Sequence, residues 1–267
     1  MTILIRGGGD LASGIALRLH HAGIKLLVTE LEEPLVVRRL VSFAEAVHEG
    51  EWRVEDVTSV LISDPDERHR AWEKGSVPVL VDPDFSSLNA VQPLAVLDAR
   101  MRKKPPQRGR EQASLVIGLG PGFQAGKNCH AVIETNRGHN LGRVYWKGEP
   151  EADTGIPGDI GGYSSQRVLR APRDGRLETL QDIGSVVKSG KAIARIDGDL
   201  VRAPFPGAVR GLLRDGTRVR QGMKIGDLDP RGEPAYARIV SDKSRSLGGA
   251  VLEALLSQEH VRSNLWI

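Results

Sequence analysis

The chain has 267 residues, 40% hydrophobic and 27% charged, with a net charge of +3 at pH 7. That is the make-up of a globular protein long enough for two cores, so disorder is not expected. Its single cysteine, Cys129, cannot form an internal disulfide, and no run approaches the roughly 18 apolar residues of a membrane helix. The expectation is therefore a cytoplasmic chain with no membrane partner and no metal centre. The excess positive charge is local: Arg100, Arg102, Lys103, Lys104, Arg108 and Arg110 form one basic loop without interleaved aromatic residues. Such a loop is either solvated or anion-binding, and nucleic acid is not the expected partner.

Taken in order, Ile3-Leu4-Ile5 reads as a strand, Leu11 to His21 as an amphipathic helix, and Lys25 to Thr29 as a second strand. Apolar runs at Ser59–Ser63, Val77–Val81, Leu94–Asp98, Ser114–Ile117 and His130–Thr135 follow, separated by helix-length segments. Continuous apolar strands alternating with helices predict a doubly wound parallel sheet covered on both faces. The first domain is thus expected to be Rossmann-like and to span residues 1–155. Glycine and proline crowd Thr154 to Gly162, as in a linker.

Beyond it lies an internal repeat at a fixed offset of 32 residues: Ala171-Pro172 with Ala203-Pro204, Gly184 with Gly216, Val187 with Val219, Gly190 with Gly222, Ile193 with Ile225. Each half is a β-unit too small to bury its own face. The pattern resembles the biotinyl/lipoyl domain, which implies an all-β, hammerhead-type sandwich over residues 163–232. The joint between the halves reads Arg195 to Val201 and has no lysine, so a swinging-arm role is not expected. Residues 233–267 are expected to be a helical segment packing back on one domain. Leu247, Val251, Leu252, Leu255 and Leu256 have helical spacing from Ser246 to Gln258. A dimer contact is the alternative for that helix.

Two glycine turns carry the chemical signal. The first strand runs into Gly7-Gly8-Gly9-Asp10-Leu11-Ala12-Ser13-Gly14, a turn opening a helix, where backbone N–H groups and the helix dipole can hold phosphate. Glu30 ends the second strand, where a carboxylate commonly accepts ribose hydroxyls. The candidate cofactor-binding residues here are Gly7, Gly9, Asp10, Ser13, Gly14 and Glu30. The glycine spacing departs from the dinucleotide fingerprint, and Asp10 places negative charge beside the turn, so a plain strand-to-helix turn is the competing explanation. The second turn contributes Gly118, Gly120 and Gly122, with Arg100 from the basic loop. Asp98, Glu134, Arg137 and His139 lie at strand ends on the same edge and are the candidates for acid/base work, against an ordinary polar turn. Cys129 lies beside Lys127 and His130, which would favour a thiolate; buried packing is the plainer alternative.

Ile5 to Ala12, Arg38 to Ala46, Gly118 to Phe123 and Glu134 to His139 resemble the YqeB family over nearly the whole chain. Members of that family are named as accessory proteins of selenium-dependent molybdenum hydroxylases. The resemblance implies an accessory or maturation role with a molybdenum hydroxylase apoprotein as partner. It implies molybdopterin, as the molybdenum cofactor, as a phosphate-bearing ligand in a sheet-edge crevice. An NAD(P)- or nucleotide-dependent oxidoreductase or transferase is the alternative, and a docking module without a small ligand is a second. Oligomer formation is compatible with all three.

Overall fold

The structure is a computed structural model and describes residues 1–266. The chain divides into two compact units. The first takes Met1–Pro34, Ser42–Thr154 and the chain from Val240 onward; the second takes Leu35–Val41 and Gly155–Ile239.

The first unit holds strands β1 (Ile3–Arg6), β2 (Leu26–Glu30), β3 (Glu51–Val54), β4 (Val57–Ile62), β5 (Val77–Val81), β6 (Ala95–Asp98), β7 (Leu115–Leu119), β8 (Ala131–Ile133) and β9 (Val144–Tyr145). Its helices are α1 (Asp10–His21), α2 (Ala46–Glu49), α3 (Arg68–Glu73), α4 (Leu88–Val91), α5 (Asp242–Ser257) and α6 (Glu259–Arg262). Among the described residues the strands form one nine-stranded sheet in the order β3-β4-β5-β2-β1-β6-β7-β8-β9. The expected Rossmann-like parallel domain is thereby corrected, because the sheet is mixed: β3 runs antiparallel to β4, and β9 antiparallel to β8. Continuous apolar runs mark only the buried interior strands. The short edge strands pair through local turns, such as the hairpin at Glu55, whose φ of 53° is left-handed.

Leu4, Leu27, Leu80, Val96, Val116 and Val132 point to one face, where Phe85, Leu88, Val91 and Phe123 cover them. Ile3, Ile5, Leu26, Val28, Leu97 and Ile117 alternate to the other and are also buried. Burying each such side chain stabilises the fold by about 1.5–3 kcal/mol before entropy is counted.

Helix α1 begins at Asp10 and has Arg18 in its last turn, charges that complement its dipole. Helix α5 is capped by Ser241, whose hydroxyl accepts from the Ser244 N–H at 3.1 Å. These two helices pack closely because glycines face the contact. A Cβ at Gly14 would lie 2.4 Å from the Ser244 Cβ, and one at Gly248 would lie 2.6 Å from the Arg18 Cγ. Contacts of 244 with 14 and of 248 with 18 run in the same direction, so α1 and α5 are parallel and their N-termini lie side by side.

The second unit holds β10 (Val168–Arg170), β11 (Gly175–Thr179), β12 (Val186–Val187), β13 (Ala192–Ile196), β14 (Asp199–Arg202), β15 (Gly207–Leu212), β16 (Arg218–Val219) and β17 (Lys224–Asp229). They form two antiparallel four-stranded sheets, β10-β17-β15-β12 and β14-β13-β11-β16. This is not the self-contained C-terminal biotinyl/lipoyl sandwich expected from the repeat. Residues from far upstream complete it: the Leu212 N–H donates to the Val37 carbonyl at 2.8 Å, and Gly211 has no room for a Cβ because that carbonyl lies 2.7 Å from its place. The repeat itself is visible as reciprocal hydrogen bonds. Gly190 N–H donates to Ala203 and Gly222 N–H to Ala171, while Gly184 N–H donates to Val209 and Gly216 N–H to Leu177. Each half closes the turns of the other.

Gly14→Ala should therefore lower unfolding free energy by about 1–3 kcal/mol through overpacking. Gly249→Ala, on the same helix α5 but with nothing within 4 Å of its place, should raise it by about 0.5–1 kcal/mol. Urea denaturation of the two variants checks the opposite signs.

Candidate functional site

The carboxyl ends of β1, β2, β6, β7 and β8 share one edge of the first unit's sheet. Its centre lies between β1 and β6, where the chain, having wound outward through β2, returns to the other side of β1. Ligands of open α/β sheets collect at such a reversal of strand order.

The glycine turn after β1 is oriented by buried partners. Gly7 has φ +91°, and a Cβ there would meet the Arg100 Cγ at 3.2 Å. Gly8 is turned inward: its N–H donates to Glu30 Oε2 at 2.7 Å, and its carbonyl accepts from Ala44 N–H at 2.9 Å and from Ser13 Oγ at 3.0 Å. Ser13 in turn accepts from the Phe43 N–H at 2.7 Å. Gly9 is turned outward, with nothing within 4 Å of the place of a Cβ. Of the residues in this turn, Gly9 and the first turn of α1 at Asp10 thus face the edge, while Gly7 packs against Arg100 and donates its N–H to the Thr29 carbonyl at 2.8 Å. Ser13 staples the turn from behind, and Gly14 serves the contact with α5.

Beside the turn, Asp98 is 5% exposed and is gripped by Arg100, with Nε at 2.9 Å from one oxygen and Nη2 at 2.5 Å from the other. Arg6, paired with Asp98 across the strands, places Nη1 at 3.7 Å from the same carboxylate. Its guanidinium stacks 4.1 Å from the centroid of the Phe85 ring. Burial, followed by repulsion from Arg100, brings the Arg6 pKa down to about 10. Arg108 repels it as well. Two guanidinium groups therefore share the buried Asp98 carboxylate close to the outward-facing Gly9, with the Asp82 carboxylate also acting on Arg6 and Glu30 lying near Arg100.

The other acidic candidates are bound to backbone. Glu30 accepts from the N–H groups of Gly8 and Leu31, and burial, outweighing those bonds and the nearby Arg100, raises its pKa. Glu134 is fully buried and accepts from the N–H groups of Thr135, Asn136 and Glu151 at 2.6–2.7 Å. It organises the loop after β8. Arg137 is exposed and pairs bidentately with Asp242 at 2.5 and 2.8 Å. His139 is exposed in the same loop.

The second glycine turn is filled by the protein itself. Phe123 occupies the space above Gly118 at 2.1 Å from the place of a Cβ, Thr135 stands 2.5 Å from that of Gly120, and the Lys104 carbonyl 2.6 Å from that of Gly122. Cys129 is fully buried, and burial pushes its thiol up to about 12. Among the described residues no group of three or more His, Cys, Asp or Glu could hold a metal ion, and no helix is long and apolar enough to cross a membrane.

Arg6 and Phe85 escaped the sequence reading. The signal for Arg6 was there: an arginine closing a fully apolar strand immediately before a glycine turn cannot be buried without a carboxylate partner. Lys243, at the start of α5, also escaped it.

Comparison with known proteins adds one strong likeness. Over 258 residues the chain is 50% identical to the uncharacterized protein YqeB of Escherichia coli (strain K12), covering 97% of this chain and 48% of that protein. The sequence likeness is to the YqeB family. The chain spans about half the length of the curated YqeB protein it matches. No protein-family model matches. Solved structures with some likeness include an aspartoacylase family protein from Mesorhizobium loti (12% identity, TM-score 0.29, 85% of this chain and 84% of that one). A succinylglutamate desuccinylase from Silicibacter sp. TM1040 is another (13%, TM-score 0.25, with the same coverages). TM-scores of this size establish no common fold, and no chemistry is drawn from them.

Two outcomes check the geometry. Cys129 should resist iodoacetamide at pH 8 in the folded protein and react only after urea unfolding. Because the Glu30 carboxyl is raised in the folded state, its contribution to stability is complete below its ordinary value of 4.5 and is lost as pH rises through the folded value. Glu30→Gln removes this dependence, so the difference in unfolding free energy between wild type and variant should move against wild type from pH 4 to pH 7.

Proposed function

We propose that this protein is an accessory factor that holds a phosphate-bearing ligand at the carboxyl ends of β1 and β6, the ligand being the molybdenum cofactor in transit to a molybdenum hydroxylase apoprotein. The observation that carries the proposal is the convergence of two cations beside an open turn: Arg6 and Arg100 meet at the buried Asp98 carboxylate, next to a Gly9 that faces open space. An anion set there lies near both guanidinium groups and meets the N-terminus of a 12-residue helix. The accessory role is what the family resemblance in the sequence implies, and the part that selenium plays belongs to the same proposal.

Glu30 separates this from dinucleotide chemistry. Its two oxygens each already accept a backbone N–H, which favours a ligand held by phosphate over one held by ribose hydroxyls. Glu134, similarly bound to backbone, is a loop organiser in this scheme and not an acid/base group.

The test is unfolding of the wild type and Gly9→Asp with inorganic phosphate, pyrophosphate, NAD, CTP and a molybdopterin preparation. Gly9 has φ −67° and ψ 179° at the N-cap, which aspartate adopts without strain, so the variant folds but carries negative charge where the ligand's phosphate goes. A ligand at a hundred times its Kd should stabilise wild type by about 2.7 kcal/mol and leave Gly9→Asp unchanged. Molybdopterin is expected to act at the lowest concentration. Absence of any shift, or equal shifts in both proteins, overturns the proposal.

A further inference from the structure

Nearly every charged side chain at the carboxyl edge is engaged. Arg100 holds Asp98, Arg137 holds Asp242, Lys103 holds Asp153 at 2.8 Å, and Glu134 and Glu30 accept from backbone. Glu151 accepts from Asn136 and Asn140 at 2.6 and 2.9 Å. Lys243 differs. It is half-buried in the first turn of α5, and among the described residues its amine forms no ion pair and no hydrogen bond.

Its surroundings come from four elements. Asp10 faces it from the first turn of α1, Glu134 from the end of β8, Arg137 from the loop beyond, and Lys103 from the basic loop after β6. The neighbouring Ser244 donates to the Asp10 carbonyl at 3.3 Å, which fixes the start of α5 against the residue that follows Gly9. The carboxylates of Asp10 and Glu134 favour the charged amine but are outweighed. Burial first, and then the charge of Arg137, hold its pKa below that of an ordinary lysine. The paired N-termini of α1 and α5 act in the same direction. Burial beside other cations is the environment that makes a lysine nucleophilic.

We propose that Lys243 is a nucleophilic amine at this edge, placed to form an imine with the aldehyde or ketone of a ligand whose anionic group lies at Gly9. The Nζ lone pair attacks the carbonyl carbon, the C=O pair moves to oxygen, and that oxygen takes the proton Nζ releases. The carbinolamine then loses water to leave the C=N bond. The nucleophile stands on the geometry of Lys243 alone; its alignment with a bound anion rests on the anion site proposed above.

Two aldehydes test both parts on the full chain: neutral glycolaldehyde and the phosphate-bearing pyridoxal 5′-phosphate. Each is added with cyanoborohydride, which reduces the imine to a stable secondary amine that peptide mass mapping locates. At pH 7 glycolaldehyde should modify Lys243 several-fold faster than the exposed Lys127 and Lys147, because its lowered pKa leaves more of its amine unprotonated. Lys243→Arg keeps the charge and should lose this fast phase alone. If glycolaldehyde modifies Lys243 no faster than Lys127 and Lys147, the nucleophile is overturned, whatever pyridoxal 5′-phosphate does. If Lys243 is fast with both reagents but Gly9→Asp and added pyrophosphate leave pyridoxal phosphate labelling unchanged, the nucleophile is upheld and the anion site falls. Selective slowing of the phosphate-bearing reagent by both supports the two together.

Discussion

Two guanidinium groups meet at one buried carboxylate, and the carboxyl edge of the larger sheet is arranged around that meeting. Asp98 sits at the end of a central strand, gripped by Arg100 from its own chain segment and approached by Arg6 from the neighbouring strand. Taking arginine out of water is costly unless hydrogen bonds and countercharge replace hydration. Arg6 recovers part of that through the Phe85 face and part through the nearby Asp82 carboxylate. The glycine turn, the packing of Phe43 and Ala44 behind it, and the start of α1 are all fixed relative to this pair.

The glycines that drew attention in the sequence divide into two physical kinds. Gly9 leaves space at the surface. Gly14, Gly118 and Gly122 are filled from within, by Ser244, Phe123 and the Lys104 backbone respectively. A sequence records that a Cβ is absent, not which neighbour takes its place, and a glycine loop that admits a ligand looks the same as one that admits the protein's own aromatic ring.

Much of the framework was nevertheless legible. The apolar runs at 3–5, 77–81 and 94–98 lie in β1, β5 and β6, because strands buried on both faces need unbroken hydrophobicity. The edge strands β3 and β9 were not, since an edge with one wet face carries Glu51, Trp52 and Arg53 without an apolar pattern. The 32-residue repeat was plain, but not the contribution of Val37 to Gly211 and Leu212, which spans most of the chain and leaves no local trace. In the site, Asp98 and Arg100 could be read from their place at a strand end. The binding of Glu134 by three N–H groups could not, because it depends on how a loop closes around it. Lys243 was hidden for a similar reason: only the parallel docking of α5 on α1 brings it to an edge built from residues more than a hundred positions earlier.

The same docking sets the order of events at birth. Helix α5 belongs to the first unit, yet the whole of Gly155–Ile239 is translated before it. As the chain leaves the ribosome, the second unit has its full set of residues first, while α1 waits with Gly14 and its apolar side uncovered. That interval is when the nascent chain is most open to aggregation and to chaperone capture, and it closes only when Leu247, Val251 and Leu255 emerge.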